Sequence, residues 1–459
     1  MNKRFKTLAG VTMASVISIS GLISGLDAEA KVDSSVKSNQ KKAENVILLV
    51  GDGMGPSQVS AAAYLKGKGY GAGELTMDQF SNVGYARTFS HDNTVTDSAA
   101  AATAFSSAHK TDNGVVGKAP KTAEHSENED HFNVESVLES AEQAGKSTGL
   151  VSTARITHAT PAAFASHVEN RDNENEIAKQ MLLDHDIEVL LGGGKRHFLP
   201  KDDGGKREDG KNIIDAAKKK GYEFVDHKEE LKNKNADKLL GLFNKSHMTY
   251  EMDRELTEEP SLAAMTKKSL KVLKDDKDGF FLMVEGGRID HAGHANFPAA
   301  NMHETLAFDK AVKVAYEYAK NDPNTQVIVT ADHATGGMSV GANGTYGFNK
   351  DVIRNVKHSA EFMGEKVNSE RSNIEEVMAK YAGINDLTKK EKTAIKTSKD
   401  AASAIAQVIS DRALIGWTTT GHTATNVPVY SYGPQSDKLT GTINNTKIAE
   451  VISNAMKVK

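Results

Sequence analysis

The chain has 459 residues, with a hydrophobic content of 38% and a charged content of 26%, which is typical of a soluble globular protein and excludes a disordered or integral membrane chain. It has no cysteine, which excludes disulfides, thiolate nucleophiles and Cys-ligated zinc, so any metal or nucleophile must use nitrogen or oxygen atoms. The formal net charge of −4 gives no general attraction to nucleic acid, and we expect no nucleic acid as a specific partner.

The N-terminus has the three parts of a secretory signal peptide. A cationic start (MNKRFK) precedes an apolar stretch from Leu8 to Leu26 and a small-residue exit, Ala-Glu-Ala, at 28–30. We therefore predict a signal peptide over residues 1–30, cleaved near Ala30, and a protein that is secreted or associated with the cell wall. A membrane anchor is the alternative, because the stretch approaches the length that spans a bilayer. Residues 31–44 are polar and lack periodicity, which predicts a flexible mature N-terminus.

Apolar runs alternate with helical patterns along the rest of the chain. We predict strands at Val46–Val50, Thr148–Val151, Ile187–Leu191, Phe280–Val284 and Val327–Val329. We predict helices between them at Val134–Ala144, Glu174–Leu183, Pro260–Leu273 and Ala299–Ala319. This alternation predicts an α/β fold with a mostly parallel central sheet flanked by helices on both faces. We expect one large domain over residues 45–459, with its site at the carboxyl ends of the strands.

Two charged segments look like insertions into this domain. Residues 195–240 carry charges of both signs, which is typical of a solvated surface. Residues 341–410 contain Thr388 and Glu391 in the spacing of a capping box, which favours charged helices rather than sheet. Neither segment offers a catalytic cluster.

The first motif that carries chemistry follows the predicted strand at Val46–Val50. Its sequence, GDGMGP over residues 51–56, places glycines on both sides of Asp52 and a proline where a helix can start. This pattern leaves the Asp52 carboxylate open at the end of the strand. Taken alone, it also fits an ordinary Asp-Gly turn.

The second motif is a helix that begins near Ser98. The alanine run Ala99–Ala102 is strongly helix-forming, and Asp97 is suited to be its N-cap. Ser98 then lies in the first turn, where free N–H groups and the helix dipole favour an anion. An ordinary helix start with a serine of no function is the alternative.

Further candidate ligands stand after two later strands and in one turn. They are Glu285, Asp290 and His294 after Phe280–Val284, Asp332 and His333 after Val327–Val329, and His422 in a glycine-containing turn. Asp290 and His294 are four residues apart, so both can reach one ion from a single turn of helix. Imidazole with carboxylate suits Zn²⁺, whereas carboxylate with hydroxyl suits Mg²⁺. Two zinc ions about 4 Å apart can clamp both oxygens of a displacement at phosphorus, with a serine as the nucleophile.

Six segments of the sequence carry a family resemblance. They are GDGMG (51–55), TDSAAAATA (96–104), VSTARITHATPAAFASHVENR (151–171), VEGGRIDHAGH (284–294), TADHATGG (330–337) and TGHT (420–423). In this order they resemble the bacterial alkaline phosphatase family, over most of residues 45–435.

The resemblance implies the roles of individual residues. The implied set is Ser98 and Arg171 as catalytic residues; Asp290, His294 and His422 for one zinc; Asp52, Asp332 and His333 for a second zinc; and Asp52, Thr160 and Glu285 for one magnesium. Ser98 would be the phosphorylated nucleophile, and Arg171 would grip two phosphate oxygens. Arg155 is the fallback for the arginine. Where the best-studied enterobacterial members have Asp and Lys, this chain has His158 and His291, which leaves the third ion open.

The implied function is secreted, metal-dependent hydrolysis of small phosphate monoesters through a phosphoserine, releasing inorganic phosphate and an alcohol. Two alternatives remain, a phosphodiesterase of the same superfamily and a non-catalytic exported protein that binds phosphate or metal. Many relatives are homodimers, and the sequence leaves a homodimer open.

Overall fold

The computed structural model describes residues 42–121 and 130–458. The predicted signal peptide at 1–30 and most of the predicted flexible segment at 31–44 lie outside these residues. Among the residues described, no helix combines the length and the apolar character needed to cross a membrane.

Strands and helices alternate along the described residues. The strands are β1 (Asn45–Val50), β2 (Asn82–Arg87), β3 (Lys118–Pro120), β4 (His131–Asn133), β5 (Ser147–Arg155), β6 (Val189–Gly193), β7 (Glu223–Val225), β8 (Leu239–Leu242), β9 (Phe280–Glu285), β10 (Thr325–Thr330), β11 (Ala334–Thr335), β12 (Ser339–Val340), β13 (Ile415–Gly416), β14 (His422–Thr423), β15 (Val427–Tyr432) and β16 (Gly441–Asn444). The helices are α1 (Pro56–Lys66), α2 (Ser98–Ser107), α3 (Val137–Gln143), α4 (Ala159–Ala162), α5 (Glu174–Lys179), α6 (Ile213–Lys219), α7 (Lys228–Asn233), α8 (Leu262–Leu273), α9 (Arg288–His294), α10 (Pro298–Asn321), α11 (Lys350–Asn355), α12 (Ala360–Lys366), α13 (Ile374–Val377), α14 (Lys389–Thr397), α15 (Ala401–Ala413) and α16 (Thr446–Met456).

A ten-stranded sheet organises the fold, in the order β16-β2-β15-β10-β1-β9-β5-β6-β8-β7. The strands from β10 to β7 in this order run parallel, whereas β15 is antiparallel to both of its neighbours. Strands β1, β9 and β10 are buried along their whole length, which explains their unbroken apolar sequences. Helices α8 and α10 pack together as one group, and α2, α3 and α16 form another. The predicted α/β fold with a mostly parallel sheet between helices is confirmed.

The observed start of one helix differs from the predicted start because a capping box sets it. The helix predicted from Val134 begins at Val137, because Ser136 and Glu139 form a capping box at its start. Ser136 Oγ accepts from the Glu139 amide at 3.1 Å, and the Glu139 carboxylate accepts from the Ser136 amide at 2.7 Å. This reciprocal pair satisfies two amides that the first turn leaves free.

The segment predicted as a solvated insertion at 195–240 differs from that expectation. It contains β7 and the start of β8, and these two strands extend the central sheet in parallel beyond β6. Strand β8 is fully buried, whereas β7 lies at the edge with Glu223 exposed. Charged residues dominate the composition of the segment, so its sequence does not predict either strand.

The second predicted insertion, at 341–410, holds α11 to α15. Thr388 caps α14 through the capping box with Glu391. Apolar residues of these helices, such as Ile353 and Ile395, form a second core with residues of α1, α9 and α10. This region therefore has its own core next to helix α9.

Candidate active site

Three parallel strands bring predicted ligands to one edge of the sheet. Asp52 follows β1, Glu285 is the last residue of β9, and Asp332 and His333 follow β10. Strand β1 lies between β9 and β10, so the three carboxyl ends are neighbours. All four side chains are completely buried.

Ser98 is the first residue of α2. The N-cap Asp97 accepts a hydrogen bond from the Ala100 amide at 2.9 Å, as the sequence predicts. Ser98 is 1% exposed, and its Oγ lies 3.3 Å from His333 Nε2. The hydroxyl therefore lies between an imidazole and a helix N-terminus, which attracts an anion.

Asp290, His294 and His422 converge from α9 and β14. Asp290 Oδ2 lies 3.2 Å from His294 Nε2, and Asp290 Oδ1 lies 3.6 Å from His422 Nε2. The two imidazole Nε2 atoms are 3.2 Å apart. Each ring points its other nitrogen at a backbone carbonyl, at 2.5 Å to Thr420 O and 2.9 Å to Thr96 O. These carbonyls accept the Nδ1 protons, so each ring turns its Nε2 atom toward the centre of the group.

Asp52, Asp332 and His333 form an adjoining group. His333 Nε2 lies 3.1 Å from Asp332 Oδ2 and 3.7 Å from Asp52 Oδ1. The ligand atoms of these three residues all lie within 4.8 Å of one another, as do those of Asp290, His333 and His422. His333 stacks on His422 with ring centroids 3.5 Å apart, so the two predicted zinc groups are in direct contact.

A third group combines Asp52 and Glu285 with His158, again within 4.8 Å. Burial raises the pKa of Glu285 to about 7. Thr160 on α4 is completely buried, and its hydroxyl has no hydrogen-bond partner among the described residues. His291 belongs to none of the metal-ligand groups found among the described residues. Its ring instead lies 5.8 Å from that of His158. Of the two histidines that left the identity of the third ion open, only His158 therefore lies within reach of Asp52 and Glu285.

The balance of charge in this edge of the sheet fits divalent cations. Within the described residues, both carboxylate oxygens of Asp52 and Oε1 of Glu285 are buried without a hydrogen-bond partner. Burial, followed by the charges of Asp332 and Asp290, raises the pKa of Asp52 well above its usual value. Buried carboxylates with no partner are costly unless a cation balances them. Oxygen and imidazole ligands in this density are what Zn²⁺ and Mg²⁺ sites use.

The structure distinguishes the two candidate arginines. Arg171 donates from NH1 to Asp97 Oδ2 at 2.8 Å, and Asp97 precedes Ser98. Arg155 donates from Nε to Glu174 Oε2 at 2.7 Å and contacts His247. Arg171 is therefore the arginine next to the serine, whereas Arg155 is held by Glu174.

Sequence reasoning missed two residues of this region. Thr335, inside the TADHATGG segment, contacts both Asp290 and His333 through its hydroxyl. His247 lies 4.1 Å from His291 and 5.6 Å from His158, ring centroid to centroid. Thr335 could have been found from its place two residues after His333. Nothing in the polar sequence around His247 indicates this contact.

Known proteins are similar to this chain both in sequence and in fold. The family model described as alkaline phosphatase matches residues 43–458. Alkaline phosphatase 3 of Bacillus subtilis (strain 168) is 41% identical over 100% of this chain and 98% of its own length. The crystal structure of a cold-active alkaline phosphatase from a psychrophilic Shewanella sp. matches with a TM-score of 0.79 and 32% identity, covering 89% of this chain and 98% of that one. The Thermus thermophilus alkaline phosphatase structure matches with a TM-score of 0.81 and 29% identity, covering 95% and 96%. This chain therefore belongs to the alkaline phosphatase family of metal-dependent phosphomonoester hydrolases.

Proposed function

We propose that the protein hydrolyses small phosphate monoesters through a phosphoserine at Ser98, releasing inorganic phosphate and an alcohol. The observation that carries this proposal is the position of Ser98 Oγ, at the N-terminus of α2 and 3.3 Å from His333 Nε2. The neighbouring Asp97 holds Arg171 at 2.8 Å, which supports a phosphate-binding role for the guanidinium.

Three cations would occupy the three groups of ligands. Asp290, His294 and His422 would hold one Zn²⁺; Asp52, Asp332 and His333 a second Zn²⁺; and Asp52, Thr160 and Glu285 one Mg²⁺. Such ions supply positive charge at the attacking and leaving oxygens when they are bound.

His158 supports an oxygen-ligated third ion. Arg171 NH2 lies 3.1 Å from His158 Nε2, and a guanidinium can only donate. His158 Nε2 therefore accepts, and the ring proton of the neutral imidazole is on Nδ1. Burial, followed by the charge of Arg171, lowers the pKa of His158 well below its usual value, which favours this neutral form. Neither nitrogen then has a free lone pair for a metal, which favours Mg²⁺ on Asp52, Glu285 and Thr160.

The protein's own groups account for the two displacements. Ser98 Oγ would bond to phosphorus while the bond to the ester oxygen breaks and the alcohol leaves with a proton. A water would then bond to phosphorus while the serine–phosphorus bond breaks, which regenerates the hydroxyl and frees phosphate. Arg171 and the first-turn amides of α2 would hold the phosphoryl oxygens, since positioning and charge stabilisation dominate phosphoryl transfer.

The test is hydrolysis of a chromogenic aryl phosphate by the wild type, by Ser98→Ala and by chelator-treated protein. We expect no turnover by Ser98→Ala and none by the chelator-treated wild type. Ser106→Ala is the matched control, because Ser106 is buried in the same helix but donates to the Ala163 carbonyl at 2.8 Å. Equal rates for the wild type and Ser98→Ala would overturn the proposal. A preference for bis-aryl over aryl phosphate would favour the phosphodiesterase. We expect the opposite preference, because a diester lacks the third free phosphoryl oxygen that a monoester offers to Arg171 and the cations.

We also propose that the protein is exported after removal of residues 1–30. The support is the cationic, apolar and small-residue order of this segment. Mass spectrometry of protein recovered from the medium or the cell wall should give a mature chain that begins near Lys31. A full-length chain retained in the cell would contradict this.

A further inference from the structure

The hydroxyl of Thr335 lies between ligands of the two predicted zinc groups. Its Oγ1 is 2.5 Å from Asp290 Oδ1 and 3.2 Å from His333 Nδ1. Thr335 is completely buried. One hydroxyl thus contacts a carboxylate of the first group and an imidazole of the second.

The Asp290 carboxylate decides which way the Thr335 hydroxyl donates. An ionised carboxylate can only accept, so Thr335 donates its single hydroxyl proton to Asp290 Oδ1. The oxygen then accepts from His333 Nδ1–H, so Nε2 is the nitrogen that His333 presents to a cation. That Nε2 is the atom 3.1 Å from Asp332 Oδ2 and 3.3 Å from Ser98 Oγ. Meanwhile Asp290 Oδ2 faces His294 Nε2 at 3.2 Å.

Two motif glycines make room for this side chain. Gly53 has φ +71°, and a Cβ there would lie 2.7 Å from Thr335 Oγ1. A Cβ on Gly293 would lie 3.0 Å from both Cβ and Cγ2 of Thr335. The glycines of GDGMG and HAGH therefore leave the space that the threonine fills.

The backbone of Thr335 is fixed as firmly as its side chain. Its amide donates to Gly53 O at 3.2 Å, and its carbonyl accepts from Gln58 Nε2 at 2.8 Å. In the β11–β14 pair, Thr335 stands opposite His422. The hydroxyl is therefore held in place by contacts with three other segments of the site.

We infer that Thr335 is a positioning residue shared by both zinc groups. It fixes the rotation of the Asp290 carboxylate and selects the Nδ1–H form of His333, so that both groups present their ligand atoms together. This inference rests on the ligand assignment in the proposed function. Hydrogen-bond partners of metal ligands typically change metal affinity by about 10- to 100-fold when they are removed.

The test compares Thr335→Val with Thr335→Ser, because valine keeps the shape and removes the hydroxyl whereas serine keeps the hydroxyl. Zinc affinity at both sites is measured by competition with a chelator, in full-length protein carrying Ser98→Ala, so the readout does not depend on turnover. We expect valine to weaken both sites about 10- to 100-fold, and serine to stay within about threefold of the parent protein. The absorption spectrum of the Co²⁺-loaded protein should change with valine and return with serine.

Thr266→Val is the matched control. Thr266 is also completely buried, but its hydroxyl donates to the Leu262 carbonyl within α8 at 2.8 Å, so both zinc affinities should be unchanged. If valine prevents folding, Thr335→Ala against Thr335→Ser repeats the comparison. Unchanged zinc affinity in the hydroxyl-free variant, or weakening at one site alone, would overturn the inference. Hydrolysis by Ser98→Ala would instead count against the proposed function.

Discussion

Helix α9 carries two histidines, His291 and His294, in opposite electrostatic surroundings. A hydrogen bond with Asp290 raises the pKa of His294 to about 9. Burial, together with the charge of Arg288, lowers the pKa of His291 to about 3. The same residue type, one turn apart, thus faces carboxylates on one side and guanidinium groups on the other. The neighbouring charges, more than the imidazole itself, therefore decide which of the two histidines is suited to bind a cation.

These two histidines belong to two different regions. We call Asp52, Glu285, Asp290, Asp332 and the imidazoles of His294, His333 and His422 the ligand cluster. We call His158, His247 and His291, with Arg155 and Arg288, the basic cluster. The ligand cluster has buried carboxylate oxygens that attract cations, whereas the arginines of the basic cluster repel them.

The largest difference should appear in catalysis. Asp332→Asn removes the charge of a proposed zinc ligand, and we expect kcat/KM for an aryl phosphate to fall roughly 1,000-fold, or about 4 kcal/mol. His291→Gln, in the basic cluster, should change kcat/KM by less than about tenfold. Equal losses in the two variants would show that the clusters do not differ in function.

The second difference should appear on metal removal. At a free metal concentration roughly 1,000 times Kd, bound cations stabilise the folded state by about 4 kcal/mol. A chelator should therefore lower the Tm measured by calorimetry, and added Zn²⁺ and Mg²⁺ should restore it. His291→Gln should lose as much as the wild type, because its histidine holds no cation. A Tm that does not respond to the chelator would contradict the ligand cluster as a cation site.

The sequence predicts the ligand cluster far better than the basic cluster. Asp52, Glu285 and Asp332 stand directly after or at the end of fully buried strands, so a local pattern is enough to place them at one edge of the sheet. The contact of His247 with His291 joins segments far apart in sequence, and no local pattern encodes it. Thr335 lies inside a recognised motif, yet its contact with Asp290 depends on how α9 packs beside β11.

The same reasoning explains which parts of the fold were missed. Strands β1, β9 and β10 are buried on both faces and have unbroken apolar sequences. Strand β15 contains Pro428 and two half-buried tyrosines, so its sequence lacks the unbroken apolar run of the central strands. Strands β7 and β8 are short and surrounded by charged residues. The hydrophobic pattern therefore predicts the central strands of the sheet but not the outer strands β7, β8 and β15.

The smallest predicted effect concerns acid stability beside the basic cluster. His197 adjoins the basic cluster through Glu174, whose Oε2 lies 3.4 Å from His197 and 2.7 Å from Arg155. Burial, with the charge of Arg196, lowers the pKa of His197 to about 4.

The unfolded chain therefore takes up this proton at a higher pH than the folded protein does, so stability falls as the pH drops from about 6.5 toward about 4. His197→Gln should flatten this part of the profile of unfolding free energy against pH by up to about 3 kcal/mol. The control is Ser106→Ala, which removes a buried side chain that does not titrate, so its profile should keep the slope of the wild type. A profile for His197→Gln that falls as steeply as that of the wild type would show that His197 is not kept neutral by its surroundings.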